Sequence, residues 1–228
     1  MTNLSSCRLD AVLNTAKLLI ISISLLFATI VHSDQTEITQ DTPAQYTLLV
    51  LGDSLSAAYN LRAEQGWVDL LAQKWQADNT PVKVVNAAIS GDTTDGGLAR
   101  LPRLLSLHQP THLYIELGGN NGLQGHNPRK IKQNLIEMIE LANANNVDVI
   151  IQEMQIPTNY GARYTQSFNA IFHDLASEYS LPLIPFFLED IALKPELMMR
   201  DGIHPTAEAQ PLITEFMAPK LLSAMIES

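Results

Sequence analysis

Four short stretches concentrate the residue types that can do chemistry. Gly52-Asp53-Ser54-Leu55-Ser56 carries two hydroxyls, and Ser90-Gly91-Asp92-Thr93-Thr94 carries backbone that a substrate can approach closely. Gly118-Gly119-Asn120-Asn121-Gly122 adds side-chain amides, and Asp201-Gly202-Ile203-His204-Pro205 sets an acid three positions before a base. A serine hydroxyl is a poor nucleophile at neutral pH and needs an adjacent base. His204 can take its proton, while Asp201 can hold the imidazole in one tautomer and stabilise the imidazolium that forms. Acyl transfer also needs donors where negative charge develops, and the N–H groups of Ser54 and Gly91 with the Asn120 amide can supply them. Taken singly, each stretch is also explained as a cap, a turn or a surface loop. Serine is a preferred helix N-cap, so Gly52–Ser56 alone leaves either serine as nucleophile or cap, with capping the simpler reading.

Other nucleotide or nucleophile motifs fit poorly. Gly52–Ser56 lacks the second glycine of G-x-S-x-G, and acid and base share one late loop, unlike an α/β-hydrolase. Gly118–Gly125 has no Gly-Lys-Ser/Thr ending and does not match G-x-G-x-x-G. His108, His112, His126 and His173 have no metal-ligand spacing and are expected at the surface or at helix ends.

These stretches need a scaffold that brings them to one place. Apolar runs at Tyr46–Leu51, Val82–Ala87, His112–Leu117, Val147–Glu153 and Leu183–Phe187 show little polar alternation, as strands buried on both faces do. Helical patterns at Gly66–Asp78, Thr94–His108, Arg129–Asn145, Gly161–Tyr179 and Thr206–Ile226 separate or follow them. Alternation of this kind predicts a parallel sheet covered by helices on both sides, an α/β fold. Ligands in such folds sit beyond the C-terminal strand ends. All four stretches fall there or close to the C-terminus.

The chain has 228 residues, 46% hydrophobic and 17% charged, enough for one domain with a substantial core. Its net charge of −10 and lack of Lys/Arg clusters exclude an obvious nucleic-acid partner. Arg8 and Lys17 precede a 14-residue apolar run, Leu18–Val31, followed by His32-Ser33. That describes a cleavable signal peptide over 1–33 rather than a membrane span. A polar lead-in at 34–45 and a single domain at 46–228 would follow. Subtracting the leader's Arg8, Lys17 and Asp10 leaves a mature charge of −11, and removes Cys7, the only cysteine. Disulfides and cysteine nucleophiles are then excluded. A periplasmic or secreted location is expected.

Gly52-Asp-Ser-Leu, Gly91, Gly119-x-Asn and Asp201-x-x-His204 resemble the four sequence blocks of the SGNH, or GDSL, hydrolases. The likeness extends to the bacterial thioesterase I / arylesterase / lysophospholipase subgroup through Ser90-Gly-Asp-Thr, Glu116-Leu-Gly-Gly-Asn and Asp201-Gly-Ile-His-Pro. The resemblance implies a three-layer α/β/α sandwich with a five-stranded sheet in the flavodoxin-like order 2-1-3-4-5. It implies Ser54 as nucleophile, His204 as base, Asp201 as its partner, and an oxyanion hole of Ser54, Gly91 and Asn120. It also implies hydrolysis of fatty-acyl esters and thioesters, lysophospholipids included, with no metal or organic cofactor. The segment Gly122–Asn127 matches a loop that shapes the acyl groove, so Gly122 and Leu123, with the apolar Ile156-Pro157, are candidate substrate contacts. Deacetylation of carbohydrate or small esters, and a non-catalytic lipid-binding module, are the alternatives. A small-molecule partner and a monomer without stable membrane insertion are expected. One departure stands out: Asn121 occupies the place of the subgroup's Asp.

Overall fold

The computed structural model describes residues 45–226. The expected leader and all of the lead-in except Gln45 therefore lie outside the described residues. Strands β1 (Tyr46–Gly52), β2 (Val82–Asn86), β3 (His112–Glu116), β4 (Asp148–Gln152) and β5 (Leu183–Ile184) form one parallel sheet. Their order is β2-β1-β3-β4-β5, as the resemblance implied. Leu48 to Leu51 and Leu113 to Ile115 are buried because β1 and β3 are central strands with both faces covered.

Among the described residues six α-helices surround the sheet: α1 (Trp67–Ala77), α2 (Thr94–His108), α3 (Gly119–Leu123), α4 (Pro128–Ala144), α5 (Ala162–Tyr179) and α6 (Gln210–Ile226). α1 packs with α6, whereas α2 packs with α4 and α4 with α5. Right-handed crossovers on a sheet of this order put those two groups on opposite faces. Helix α4 turns Ile131, Leu135, Met138 and Ile139 inward, the stripe its sequence spacing predicts. Among the described residues no helix is long and apolar enough to cross a membrane.

Boundaries otherwise agree with the sequence expectation to within one residue, and three places depart further. β5 stops at Ile184 rather than Phe187, because Pro185 has no N–H to continue the ladder. α6 begins at Gln210 rather than Thr206, which puts Pro211 in the first turn, where its missing N–H has no partner to lose. Gly119–Leu123, expected as a turn, is a short helix entered through Gly118 at φ 113°.

The β1–β3 register ends on the pair Gly52 and Glu116. A Cβ on Gly52 would lie 2.7 Å from Glu116 Oε2 and 2.9 Å from Ser56 Cβ. Glycine at this position is what lets the turn after β1 fold back over the end of β3.

Candidate active site

After β1 the chain does not enter a helix. Residues 53–60 form a run of turns, and α1 begins only at Trp67. Neither serine therefore caps a helix, which corrects the capping reading. Ser54 Oγ lies 2.8 Å from His204 Nε2, across 150 residues of sequence. Ser56 Oγ points the other way, into the core, and donates to Glu116 Oε2 at 2.8 Å.

His204 sits in a loop whose ends are tied by a bridge between Met198 and Pro205. Asp201 Oδ1 accepts from the N–H groups of Ile203 (2.9 Å) and His204 (3.0 Å), and Oδ2 lies 2.8 Å from His204 Nδ1. Burial is the largest single influence on Asp201 and opposes its ionisation, but the two N–H groups and the His204 ring together outweigh it and hold the carboxyl at about 2. Facing a carboxylate, Nδ1 carries the imidazole proton, and Nε2 is left to accept from the Ser54 hydroxyl. A hydroxyl, an imidazole and a carboxylate thus stand in one line.

The three expected oxyanion donors are not equivalent. The N–H groups of Ser54 and Gly91 donate to no group among the described residues. Gly91 is exposed at φ +80°, with open space where a Cβ would be. Asn120, by contrast, is engaged: its Nδ2 donates to Asp53 Oδ2 at 3.0 Å and to the Asp92 carbonyl at 2.9 Å. Both neighbours are acceptors, which fixes the amide's orientation. To stabilise an anion Asn120 has to exchange one of these partners.

A cavity of about 290 Å³ opens beside Ser54 and His204. Leu123, Ile156 and Pro157, the candidate substrate contacts, line it together with Met154, Phe186 and Met198, which the sequence did not single out. Gly122 is not in the wall. It is buried behind it, where a Cβ would lie 2.7 Å from Ile156 Cγ2 and 2.8 Å from Phe168.

Asn121 does what its position requires with a neutral side chain. Its Oδ1 accepts from Thr94 N–H at 2.8 Å, and its Nδ2 lies 3.0 Å from His126 Nδ1. The segment between is held by tyrosines: Tyr160 OH donates to the Leu123 carbonyl and Tyr164 OH to that of His126, both at 2.7 Å. His112 departs from expectation. It is buried on β3 with Nδ1 2.8 Å from Thr111 Oγ1, and burial lowers its pKa.

Sequence reasoning passed over a buried acidic pair under the site. Asp53 is 2% and Glu116 0% exposed. Burial first, opposed by the Leu55 N–H, moves Asp53 up to about 6. Burial and the Asp53 charge push Glu116 well above the usual carboxylate range. The available signal was a lone charged residue between Ile115 and Leu117 at the end of an apolar strand.

Residues 50–211 match the GDSL-like Lipase/Acylhydrolase family. The chain is 49% identical over 175 residues to the thioesterase 1/protease 1/lysophospholipase L1 of Escherichia coli K12, covering 77% of this chain and 83% of that one. It is 48% identical over 179 residues to an arylesterase of Vibrio mimicus, covering 78% and 90%. The crystal structure of the psychrotrophic esterase EstA from Pseudoalteromonas sp., inhibited by monoethylphosphonate, superposes with a TM-score of 0.77 at 42% identity, covering 78% of this chain and 97% of EstA. The four blocks, the sheet order and these likenesses lead to one conclusion: the chain belongs to the GDSL-like lipase/acylhydrolase family and is a GDSL-type hydrolase.

Proposed function

We propose that the protein is a serine esterase that hydrolyses fatty-acyl esters and thioesters, lysophospholipids among them, through an acyl-enzyme intermediate. One observation carries the reading: the line from Ser54 Oγ through His204 to Asp201 stands at the mouth of a largely apolar cavity. Ser54 Oγ attacks the carbonyl carbon as His204 Nε2 takes its proton. Charge on the carbonyl oxygen is met by the Ser54 and Gly91 N–H groups and by the Asn120 amide. The protonated His204 then gives its proton to the departing alcohol or thiol. Water, activated by His204, splits the acyl-enzyme and restores Ser54.

The apolar wall of Leu123, Met154, Ile156 and Phe186 favours an acyl chain over an acetylated sugar. The apolar N-terminal run supports export of the enzyme, where it would meet lysophospholipids and other external esters rather than acyl-CoA. The test is a panel of p-nitrophenyl esters, acyl-CoA and lysophosphatidylcholine with wild type and Ser54→Ala, alongside a fluorophosphonate probe. Ser54 should be labelled, and hydrolysis should vanish in the variant. An unlabelled wild type would point instead to a non-catalytic lipid-binding module.

A further inference from the structure

The reaction proposed above does not use Glu116, a carboxyl with no solvent access that is hydrogen-bonded directly to the nucleophile's turn. Its Oε2 accepts from the Asp53 N–H at 3.2 Å and from Ser56 Oγ at 2.8 Å, while Oε1 has no hydrogen-bond partner among the described residues. Asp53 in turn lines the cavity, accepting from the Leu55 N–H through Oδ1 at 3.0 Å and from Asn120 Nδ2 through Oδ2 at 3.0 Å. A continuous chain of contacts therefore runs from Glu116 through Asp53 to Asn120. It pins the peptide immediately before Ser54 and the side-chain amide on the other side of the expected oxyanion position.

We propose that Glu116 is a positioning residue for acyl transfer: held as a neutral acid, it fixes Asp53 and, through Asp53, aims the Asn120 amide and the Ser54 N–H. The idea rests on the esterase reading. A neutral acid is what the surroundings accommodate, since an ionised Glu116 would leave Oε1 uncompensated in the core. The groups that face the pair are Tyr114 beneath it, and Asp92 and His204 on the site side; Arg100 is bound to Asp92 at 2.8 Å. None is a cation in contact with Glu116. Keeping Glu116 neutral also leaves one negative charge rather than two beside a developing oxyanion, where a second would oppose catalysis.

The test is a double-mutant cycle on kcat for p-nitrophenyl butyrate, using E116L, N120A and E116L/N120A, with E116Q as the conservative variant. E116L should lower kcat roughly 10- to 100-fold, the scale of a displaced oxyanion donor, with KM within about threefold. In the N120A background E116L should cost at least about threefold less than it does in wild type, because one of the two donors it aims is gone and only the Ser54 N–H remains. E116Q retains the acceptor oxygen without the acid. It should keep at least about a third of wild-type kcat, match wild-type stability near pH 4 and exceed it at pH 8. Additive losses in the cycle would overturn the positioning role, and an E116Q as impaired as E116L, or less stable than wild type at pH 8, would overturn the neutral acid. E116Q decides the matter even where E116L fails to fold. Failure of wild type to hydrolyse the ester or to label at Ser54 is a separate result, and it sinks the esterase reading instead.

Discussion

The Tyr59 ring stacks on the His204 imidazole, with centroids 4.1 Å apart and planes inclined by 29°. Tyr59 is more than a third exposed, so its burial contributes little to the core. The chain nevertheless accepts left-handed backbone on both sides of it, at Ala58 (φ 54°) and Asn60 (φ 56°). Such conformations cost a non-glycine residue about 1 kcal/mol or more each. A ring face over the imidazole restricts its rotation and would favour the imidazolium that the proposed proton transfer forms. Tyr59→Ala should therefore lower kcat about 3- to 10-fold with little change in melting temperature, while Tyr59→Phe stays near wild type. Steady-state kinetics beside a thermal melt checks this; an unaltered kcat in Tyr59→Ala would refute it.

Asp201 is held at about 2, below the value of an unfolded aspartate. A depressed carboxyl contributes stability that is present above the unfolded pKa near 3.9 and is lost as pH falls through about 2. Its charge is consequently constant from pH 5 upward, and no inflection in kcat/KM above pH 5 should disappear in Asp201→Asn. That variant should lose roughly 10³-fold or more in kcat, because an amide can present the wrong tautomer to Ser54. A loss below tenfold would remove Asp201 from the orienting role.

Asp53 behaves with the opposite sign. Its folded pKa is raised to about 6 by burial, so its contribution is fully present below about 3.9 and is lost as pH rises through 6. Stability should decline between pH 4 and 6 on this account, and Asp53→Asn should flatten that slope. Urea midpoints at intervals of half a pH unit read it directly; an unchanged slope contradicts the assignment.

Asn121→Asp is a sharper probe of the loop than its small size suggests. Asp would accept from the Thr94 N–H with charge assistance. The expected result is a melting temperature a few degrees higher, with kcat within about threefold. An equal melting temperature would mean that the amide and the carboxylate are interchangeable here.

Gly52→Ala puts a methyl 2.7 Å from Glu116 Oε2 and 2.9 Å from Ser56 Cβ. Neither neighbour has room to move, as both are buried and bonded to one another. A loss of about 1–3 kcal/mol in unfolding free energy is expected, along with reduced turnover from the shifted Ser54. Chemical denaturation of the variant provides the check.

Residue types and order were enough to determine the alternating strands and helices, since β1, β3 and β4 are apolar runs of strand length and α4 carries its stripe at helical spacing. They also supplied the hydroxyl, imidazole, carboxylate and amide, and the four-block resemblance added the strand order. Residue types alone left the two serines open, and the resemblance pointed to Ser54 without a physical reason. Ser54 and Ser56 are two residues apart in one turn, and only the fold of that turn sends one to His204 and the other to Glu116. Asp53, Glu116 and Tyr59 were illegible for the same reason. Their importance lies in burial and in contacts with residues 63 to 145 positions away, and periodicity along a chain carries no information about desolvation or about what a turn places opposite it.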